Sequence, residues 1–265
     1  MLKIGIIGAG NMGGALAQAI SLSECQIYVS DISFQKAQAL AADIGAIPCD
    51  TLTLAEQCDL IFFGVKPNVL PSMIDEIRDT LDERATEFTV VSMAAGVSVE
   101  KLVSLIGFNC PVIRIMPNTP VSVGEGMILW CANALVTDEI KKNFLSSLAF
   151  AGELDELPEA LIDSGCALSG CGPAFVYMFI EALADGAVEC GLPRDKALKY
   201  AIQTLLGAST LAKETGSHPG ALKDAVCSPG GSTIAGVHSL EDGAFRACVM
   251  NAVKASFNKT RELGK

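Results

Sequence analysis

The chain has 265 residues, half of them hydrophobic and only 18% charged, which is room for one large domain or two moderate ones and more apolar surface than a single globule of this size needs. Its 30 acidic against 19 basic residues give a net charge of −11, which repels nucleic acid and anionic membranes and sets both aside as partners. Ten cysteines, scattered from Cys25 to Cys248 without C-x-x-C or tight spacing, mostly lie in apolar runs such as Cys248-Val249-Met250 and point to reduced thiols in a cytosolic compartment.

The first stretch, Leu2 to Gly14, organises the rest. Leu2, Ile4, Ile6 and Ile7 form an apolar run broken by Gly5, the pattern of a strand buried on both faces of a parallel sheet. Gly8-Ala9-Gly10-Asn11-Met12-Gly13 then fits G-x-G-x-x-G and leads into the helical pattern Ala15, Leu16, Ala19, Ile20. Gly8 permits the tight turn, Gly10 lets the backbone approach a pyrophosphate, and Gly13 lets the helix pack close on the strand. The anion sits among unpaired N–H groups at the positive end of the helix dipole, so this stretch predicts dinucleotide binding. No basic segment and cleavage site precedes the strand, and no secretory signal is expected.

Strand and helix signals then alternate. Gln26 to Ser30 reads as a second strand, followed by a helix capped by Ser33 and running to about Asp43; Leu60 to Phe63 is a third strand, followed by Gly64-Val65-Lys66-Pro67 and a helix from about Val69 to Leu81. Phe88 to Met93 is a fourth, followed by Ala94-Ala95-Gly96 and a helix near Val99 to Ile106; Val112 to Ile115 is a fifth, and Met127 to Trp130 adds another at an edge. Such repetition demands a parallel sheet with right-handed crossovers and helices on both faces, with ligands beyond the carboxyl ends of the strands. GAGNMG, GVKP, MAAG and MPNTP fall at those ends.

Near Leu157-Pro158 the character changes and strand signals stop, which divides the chain into an α/β domain over residues 1–157 and an all-α domain over residues 158–265. Pro173 opens a helix through Glu189 that is apolar nearly all round, Gly191-Leu192-Pro193 ends it and starts another to about Lys213, Leu222 to Val226 is short, and Ala244 to about Glu262 is last. The most apolar run, Ala174 to Ile180, meets Glu181 and Asp185 too soon to span a bilayer. Helices this apolar in so small a domain must bury against something, and a second subunit is the natural candidate.

Between the last two helices stands Ser228-Pro229-Gly230-Gly231-Ser232-Thr233. Proline stops the preceding helix, the glycines free the backbone, and Ser232 or Thr233 caps a helix towards Leu240. The result gathers N–H groups and hydroxyls that can hold a carboxylate without an arginine, none of which lies between Ser228 and Glu241; an ordinary loop with an N-cap is the plainer reading of these residues alone.

The run LKDAVCSPGGSTIAGVHSLEDGAF, Leu222 to Phe245, resembles the signature of the pyrroline-5-carboxylate reductase family, and IGAGNMG, GVKP, VVSMAAGVS, MPNTP, LSGCGPAF, AVKAS and TREL agree with that family in order and spacing. The resemblance implies an N-terminal Rossmann-type parallel sheet and an all-α dimerisation domain of interlocking helices, often with dimers gathered into larger rings. It implies an enzyme that reduces the C=N bond of a cyclic imino acid, 1-pyrroline-5-carboxylate, to L-proline with NADP(H) or NAD(H), and no metal. It assigns Gly8, Ala9, Gly10, Asn11 and Met12 to the pyrophosphate and Val65, Lys66, Pro67, Ala94 and Ala95 to the nicotinamide side. Ser228, Gly231, Ser232 and Thr233 take the substrate, with Thr233 hydrogen-bonding or protonating the ring nitrogen.

The residue types suit that reaction, since a protonated imine needs alignment and one donor rather than a histidine–carboxylate relay. His218 and His238 lie far apart in sequence and are expected to be structural or exposed, and no G-x-S-x-G is present. The sequence departs from the family's common pattern at Cys171 and Phe175, where serine and tyrosine are usual. Asp31 ends the second strand, where a carboxylate accepts from an adenosine ribose 2′-OH and repels a 2′-phosphate, so NADH use enters beside NADPH. Two other readings compete. A β-hydroxyacid dehydrogenase shares the two-domain plan but needs a lysine four residues after the glycine turn, where Val176 stands, and a non-catalytic dinucleotide sensor has no use for the Ser228–Thr233 loop.

Overall fold

In the computed structural model, which describes residues 1–263, an eight-stranded sheet carries the first part of the chain. The elements run β1 (Leu2–Ile7), α1 (Asn11–Ile20), β2 (Cys25–Ser30), α2 (Phe34–Ile44), β3 (Ile47–Pro48), α3 (Thr51–Gln57), β4 (Leu60–Phe63), α4 (Leu70–Glu83), β5 (Thr89–Ser92), α5 (Val99–Ile106) and β6 (Val112–Met116). A 3-10 helix (Thr119–Val123), β7 (Gly126–Ala132), α6 (Asp138–Ser147), β8 (Gly152–Glu156) and α7 (Glu159–Ser169) follow. Helices α8 (Gly172–Glu189), α9 (Arg194–Thr215), α10 (Pro219–Val226), α11 (Ser232–Asp242) and α12 (Phe245–Leu263) complete the described chain.

The strand order is β3-β2-β1-β4-β5-β6-β7-β8, every pairing parallel except β6 with β7. Order reverses between β1 and β4, the switch point at which open α/β sheets leave a crevice for a ligand. Successive residues of β4 show why the sheet is covered on both sides: Leu60 and Phe62 pack in one apolar layer, Ile61 and Phe63 in the opposite one, and all four are buried. Leu16 and Ile20 of α1 fill the first layer with Trp130 and Phe144; Leu54, Ile74 and Ile77 of α3 and α4 fill the second.

Two expectations need correction. Met127 to Trp130 is not an edge: β7 runs antiparallel to β6 and is covered on its other side by β8, a strand the hydrophobic pattern does not announce. Neither Ser33 nor Ser232 nor Thr233 caps a helix through its side chain. Ser33 occupies the N-cap of α2 without a side-chain bond, and the N-cap of α11 is Gly231, which makes Ser232 and Thr233 its first helical residues.

The described chain divides into two compact units, one of residues Met1–Cys171 joined by the chain from Ser256 onward, the other Gly172–Ala255. In the second, α8 and α9 pair through a core in which only Ala184, Ala197 and Ala201 are buried. Tyr177, Met178, Ile202, Leu206 and Met250 are exposed. The stretch Glu159–Glu189, which holds α7 and α8, is long and apolar enough to cross a membrane by length and composition, although the Ala174–Ile180 run within it is short.

Candidate dinucleotide and carboxylate sites

The glycine loop between β1 and α1 is held by backbone geometry. Gly8 has φ +105°, a left-handed value open to glycine, and its N–H donates to the Ser30 carbonyl at 2.7 Å, tying the end of β1 to the end of β2. A Cβ on Gly13 would lie 2.0 Å from the Gly8 carbonyl oxygen, so only glycine lets α1 start this close to the strand. A Cβ on Gly10 would instead meet nothing within 4 Å, and the space above Gly10 is open. Gly10 is also the N-cap of α1 and brings no side chain to it, so the first N–H groups of the helix, from Asn11 and Met12 onward, are left for a ligand. A pyrophosphate fits this cradle in charge and in room. Ala9 is half-buried beside the turn, and its N–H donates to Asp31 Oδ2 at 2.8 Å.

Gly64, which the sequence reading passes over as part of GVKP, belongs to the same close packing. A Cβ there would sit 3.1 Å from the carbonyl oxygens of both Gly8 and Ile7 and 3.4 Å from Gly13 Cα. The readable signal was a glycine directly after a fully apolar strand, the position where the loops of β1 and β4 meet at the switch point. Val65 follows it on the wall of a cavity of about 390 Å³ together with Gly8, Asp31 and Val69. Lys66 and Pro67 are exposed, and the Lys66 carbonyl accepts from the N–H groups of Val69 and Leu70, opening α4. Ala94 is buried with its N–H 3.3 Å from Ser92 Oγ, Ala95 is half-buried, and Gly96 turns the chain at φ +74° so that Ser98 caps α5 by accepting from the Lys101 N–H.

The MPNTP segment is anchored by Asn118, which is buried; its Nδ2 donates to the Ser169 carbonyl at 3.0 Å and its Oδ1 accepts from the Met127 N–H at 2.9 Å. Arg114 on β6, also buried, donates from Nη1 to Glu159 at 3.2 Å and from Nη2 to Asp163 at 2.7 Å, and Glu159 accepts in turn from the Val99 N–H at 2.7 Å. The start of α5, the sheet and α7 are thus bound by one charge network that no sequence motif marked.

In the second unit, Ser228, Pro229 and Gly230 are exposed, Gly230 has φ +68°, and the Gly231 N–H donates to the Ser228 carbonyl at 3.0 Å. With Gly231 as a bare N-cap, the first N–H groups of α11 lack a side-chain partner and the hydroxyls of Ser232 and Thr233 are exposed beside them. Such a loop can accept a carboxylate. The histidines stand apart from it: His218 caps α10, its Nδ1 accepting from the Gly220 N–H at 3.0 Å, and His238 lies 3.4 Å from Asp242 one turn on. Cys171 is half-buried, and no group of three or more metal-ligating side chains occurs among the described residues.

A family model for pyrroline-5-carboxylate reductase dimerisation matches residues 159–263, and one for coenzyme F420-dependent NADP oxidoreductases matches residues 3–96. The chain is 41% identical to the pyrroline-5-carboxylate reductase of Escherichia coli over 99% of its own length and 98% of that protein's, and 38% identical to that of Arabidopsis thaliana over 99% and 96%. Among solved structures, the Plasmodium falciparum pyrroline carboxylate reductase with NADP bound superposes with a TM-score of 0.89 at 33% identity, covering 100% of this chain and 98% of that one. The signature from Leu222 to Phe245, the glycine cradle and this end-to-end similarity agree: the chain belongs to the pyrroline-5-carboxylate reductase family.

Proposed function

We propose that the protein reduces the C=N bond of 1-pyrroline-5-carboxylate to L-proline with NAD(P)H, the closing step of proline biosynthesis. The observation that carries this reading is similarity to reductases of that name over 99% of the chain. The glycine cradle at Gly8, Ala9, Gly10, Asn11 and Met12 takes the pyrophosphate, Asp31 the adenosine ribose, and Val65, Lys66, Pro67, Ala94 and Ala95 flank the nicotinamide end. A bound reduced nicotinamide supplies the hydride to the imine carbon. The chain itself holds the substrate carboxylate at the bare start of α11, through Gly231 and the hydroxyls of Ser228 and Ser232. The Thr233 hydroxyl donates to the nitrogen of the neutral imine, fixing the ring and delivering the proton that nitrogen takes up as the hydride reaches the carbon. One hydride and one proton are consumed for each ring reduced.

The functional unit is a homodimer built on α8 and α9, with larger rings of dimers as its assembled form, and it works in the cytosol free of membrane and nucleic acid. A division of labour between residues 1–157 and 158–265 follows the same reading, the dinucleotide on the first and substrate and subunit contacts on the second. The dehydrogenase alternative finds no base, since the fourth residue after Gly172 is Val176.

The test is substrate-dependent loss of nicotinamide absorbance in purified protein. Turnover is expected only when pyrroline-5-carboxylate is added. Thr233→Ala should lower kcat/KM by roughly 10²-fold, with Thr233→Ser restoring most of it because the donor returns. Undiminished turnover in the alanine variant removes Thr233 from the chemistry, and no turnover with either cofactor leaves a binding protein.

A further inference from the structure

The cavity of about 390 Å³ beside the glycine loop has an acidic wall. Its lining includes Gly8, Asp31, Ile32, Thr51, Ser72 and Glu76, and among the described residues around it none is basic. From this wall and the fixing of one carboxylate within it we infer that the protein selects a dinucleotide with an unmodified adenosine ribose, NADH, and rejects the 2′-phosphate of NADPH. The inference deepens the proposed function and rests on it for its biological meaning.

Asp31 follows the last residue of β2, and its two oxygens are held by two different segments. The Ala9 N–H donates to Oδ2 at 2.8 Å from inside the glycine loop, and the Ser33 N–H donates to Oδ1 at 2.9 Å from the start of α2. A carboxylate offers about four lone-pair sites, so two remain for the ribose 2′- and 3′-hydroxyls after these bonds are made. Because both bonds come from backbone, the acceptor is oriented before any ligand arrives, with little rotamer freedom left to lose. Ser30, directly before it, is buried, and its hydroxyl shares one hydrogen bond of 2.9 Å with Thr51 Oγ1, so the pair leaves at most one free O–H for a ligand.

A 2′-phosphate needs cations or several free donors. The wall has no cation and few donors, since the Ser72 hydroxyl already donates to the Val69 carbonyl at 2.9 Å, and the carboxylates of Asp31 and Glu76 make a doubly charged group in this partly enclosed space repulsive. The nearest cation in the sequence is Lys36, two residues into α2 beyond Phe34; it is exposed and takes no part in the wall. The apolar remainder, Val65, Val69 and Ile32, suits an adenine ring and is indifferent to the ribose.

Binding is measured without pyrroline, by nicotinamide fluorescence titration with NADH and with NADPH, and by competition with adenosine 5′-diphosphate and its 2′-phosphorylated form. The native protein is expected to bind NADH at least about tenfold more tightly than NADPH, with the unphosphorylated competitor ahead by a similar factor. Asp31→Ser should weaken NADH and tighten NADPH, bringing the ratio near one. Asp31→Asn, which keeps the size and one of the two backbone bonds, should lower the ratio with a smaller loss of melting temperature than Asp31→Ser, and Glu76→Gln should tighten NADPH more than NADH. Equal or tighter binding of NADPH by the native protein overturns the inference, as does a ratio that both Asp31 variants leave intact. Loss of imine reduction with this binding preference intact would strike the proposed reaction alone.

Discussion

Gly13 and Gly8 stand so close that the side chain Gly13 lacks would begin 2.0 Å from the Gly8 carbonyl oxygen. Gly10, between them, faces open space. The two positions therefore separate folding from binding. Gly13→Ala must push α1 off β1 and is expected to cost about 1–3 kcal/mol and to abolish dinucleotide binding. Gly10→Ala leaves nothing to displace in the protein, so its melting temperature should hold while NAD(P)H affinity falls, because the new methyl occupies the pyrophosphate's approach. Thermal unfolding beside a fluorescence titration checks both, and a Gly13→Ala protein that melts and binds like the native one would refute the steric account.

Those glycines could be read from the sequence because each has a separate steric task that no other residue performs. The four-residue run of β4 was legible for a related reason: a strand covered on both faces needs apolar side chains at every position. β8 was not legible, since its sequence Gly152-Glu153-Leu154-Asp155-Glu156 carries three carboxylates and its outer side is the sheet's edge. Two helices passed over did carry start signals. Asp50 accepts from the Thr53 N–H to open α3, and Thr137 accepts from the Ile140 N–H to open α6 with Asp138 and Glu139 in its first turn. At α11 the opposite occurred: two hydroxyl residues suggested a cap, but the backbone turns one residue earlier at Gly231, which frees both hydroxyls. The Arg114 network has no local signal, as its partners lie 45 and 49 residues away.

Arg114 supplies a stability prediction. Its side chain is 4% exposed, Glu159 and Asp163 are its ion-pair partners, and its Nε has no hydrogen-bond partner among the described residues. Removing the guanidinium leaves two half-exposed carboxylates facing an apolar sheet and frees α7 from β6. Arg114→Ala is expected to destabilise by about 3 kcal/mol, the lower end for a broken buried pair because the carboxylates keep some solvent. Arg114→Lys keeps the charge but reaches one partner at a time and should recover less than half. Denaturant unfolding measures both, and a loss below about 1 kcal/mol for the alanine variant would show that the network orients α7 without stabilising it.

The buried thiols set an alkaline limit. Burial pushes Cys110, Cys131 and Cys166 from the ordinary 9.0 up to about 11, and Cys58 further still. Between those values the unfolded chain has lost thiol protons that the folded chain keeps, so unfolding is favoured as pH rises. Their contribution is complete below about pH 9 and is lost progressively towards about pH 11, which stability measured across that window should reproduce. The same burial predicts that an alkylating reagent at about pH 8 modifies none of these four until denaturant is added, as peptide mapping will report. Labelling of Cys58 in the folded protein at the rate of a free thiol would contradict its burial.

The unit Gly172–Ala255 makes the assembly testable. It buries only three alanines among its apolar residues, yet exposes Met178 at 69%, Leu206 at 57% and Met250 at 71% on the protomer. Covering side chains of this kind is worth roughly 1.5–3 kcal/mol each, so a handful suffices to hold two copies together. A bilayer would be the other apolar partner for Glu159–Glu189, but that stretch carries Asp163, Glu181, Asp185 and Glu189, and burying carboxylates in lipid is costly. A protein partner can leave them at a wet rim. Leu206→Glu or Met178→Glu, alone or together, is therefore expected to shift sedimentation from an oligomer to a monomer, to lower the melting temperature and to remove its dependence on protein concentration. The native protein should stay in the supernatant when lipid vesicles are pelleted. An unchanged oligomer in the double variant would move the interface off α8 and α9, and co-pelleting of the native protein with neutral vesicles would assign the apolar face to lipid instead.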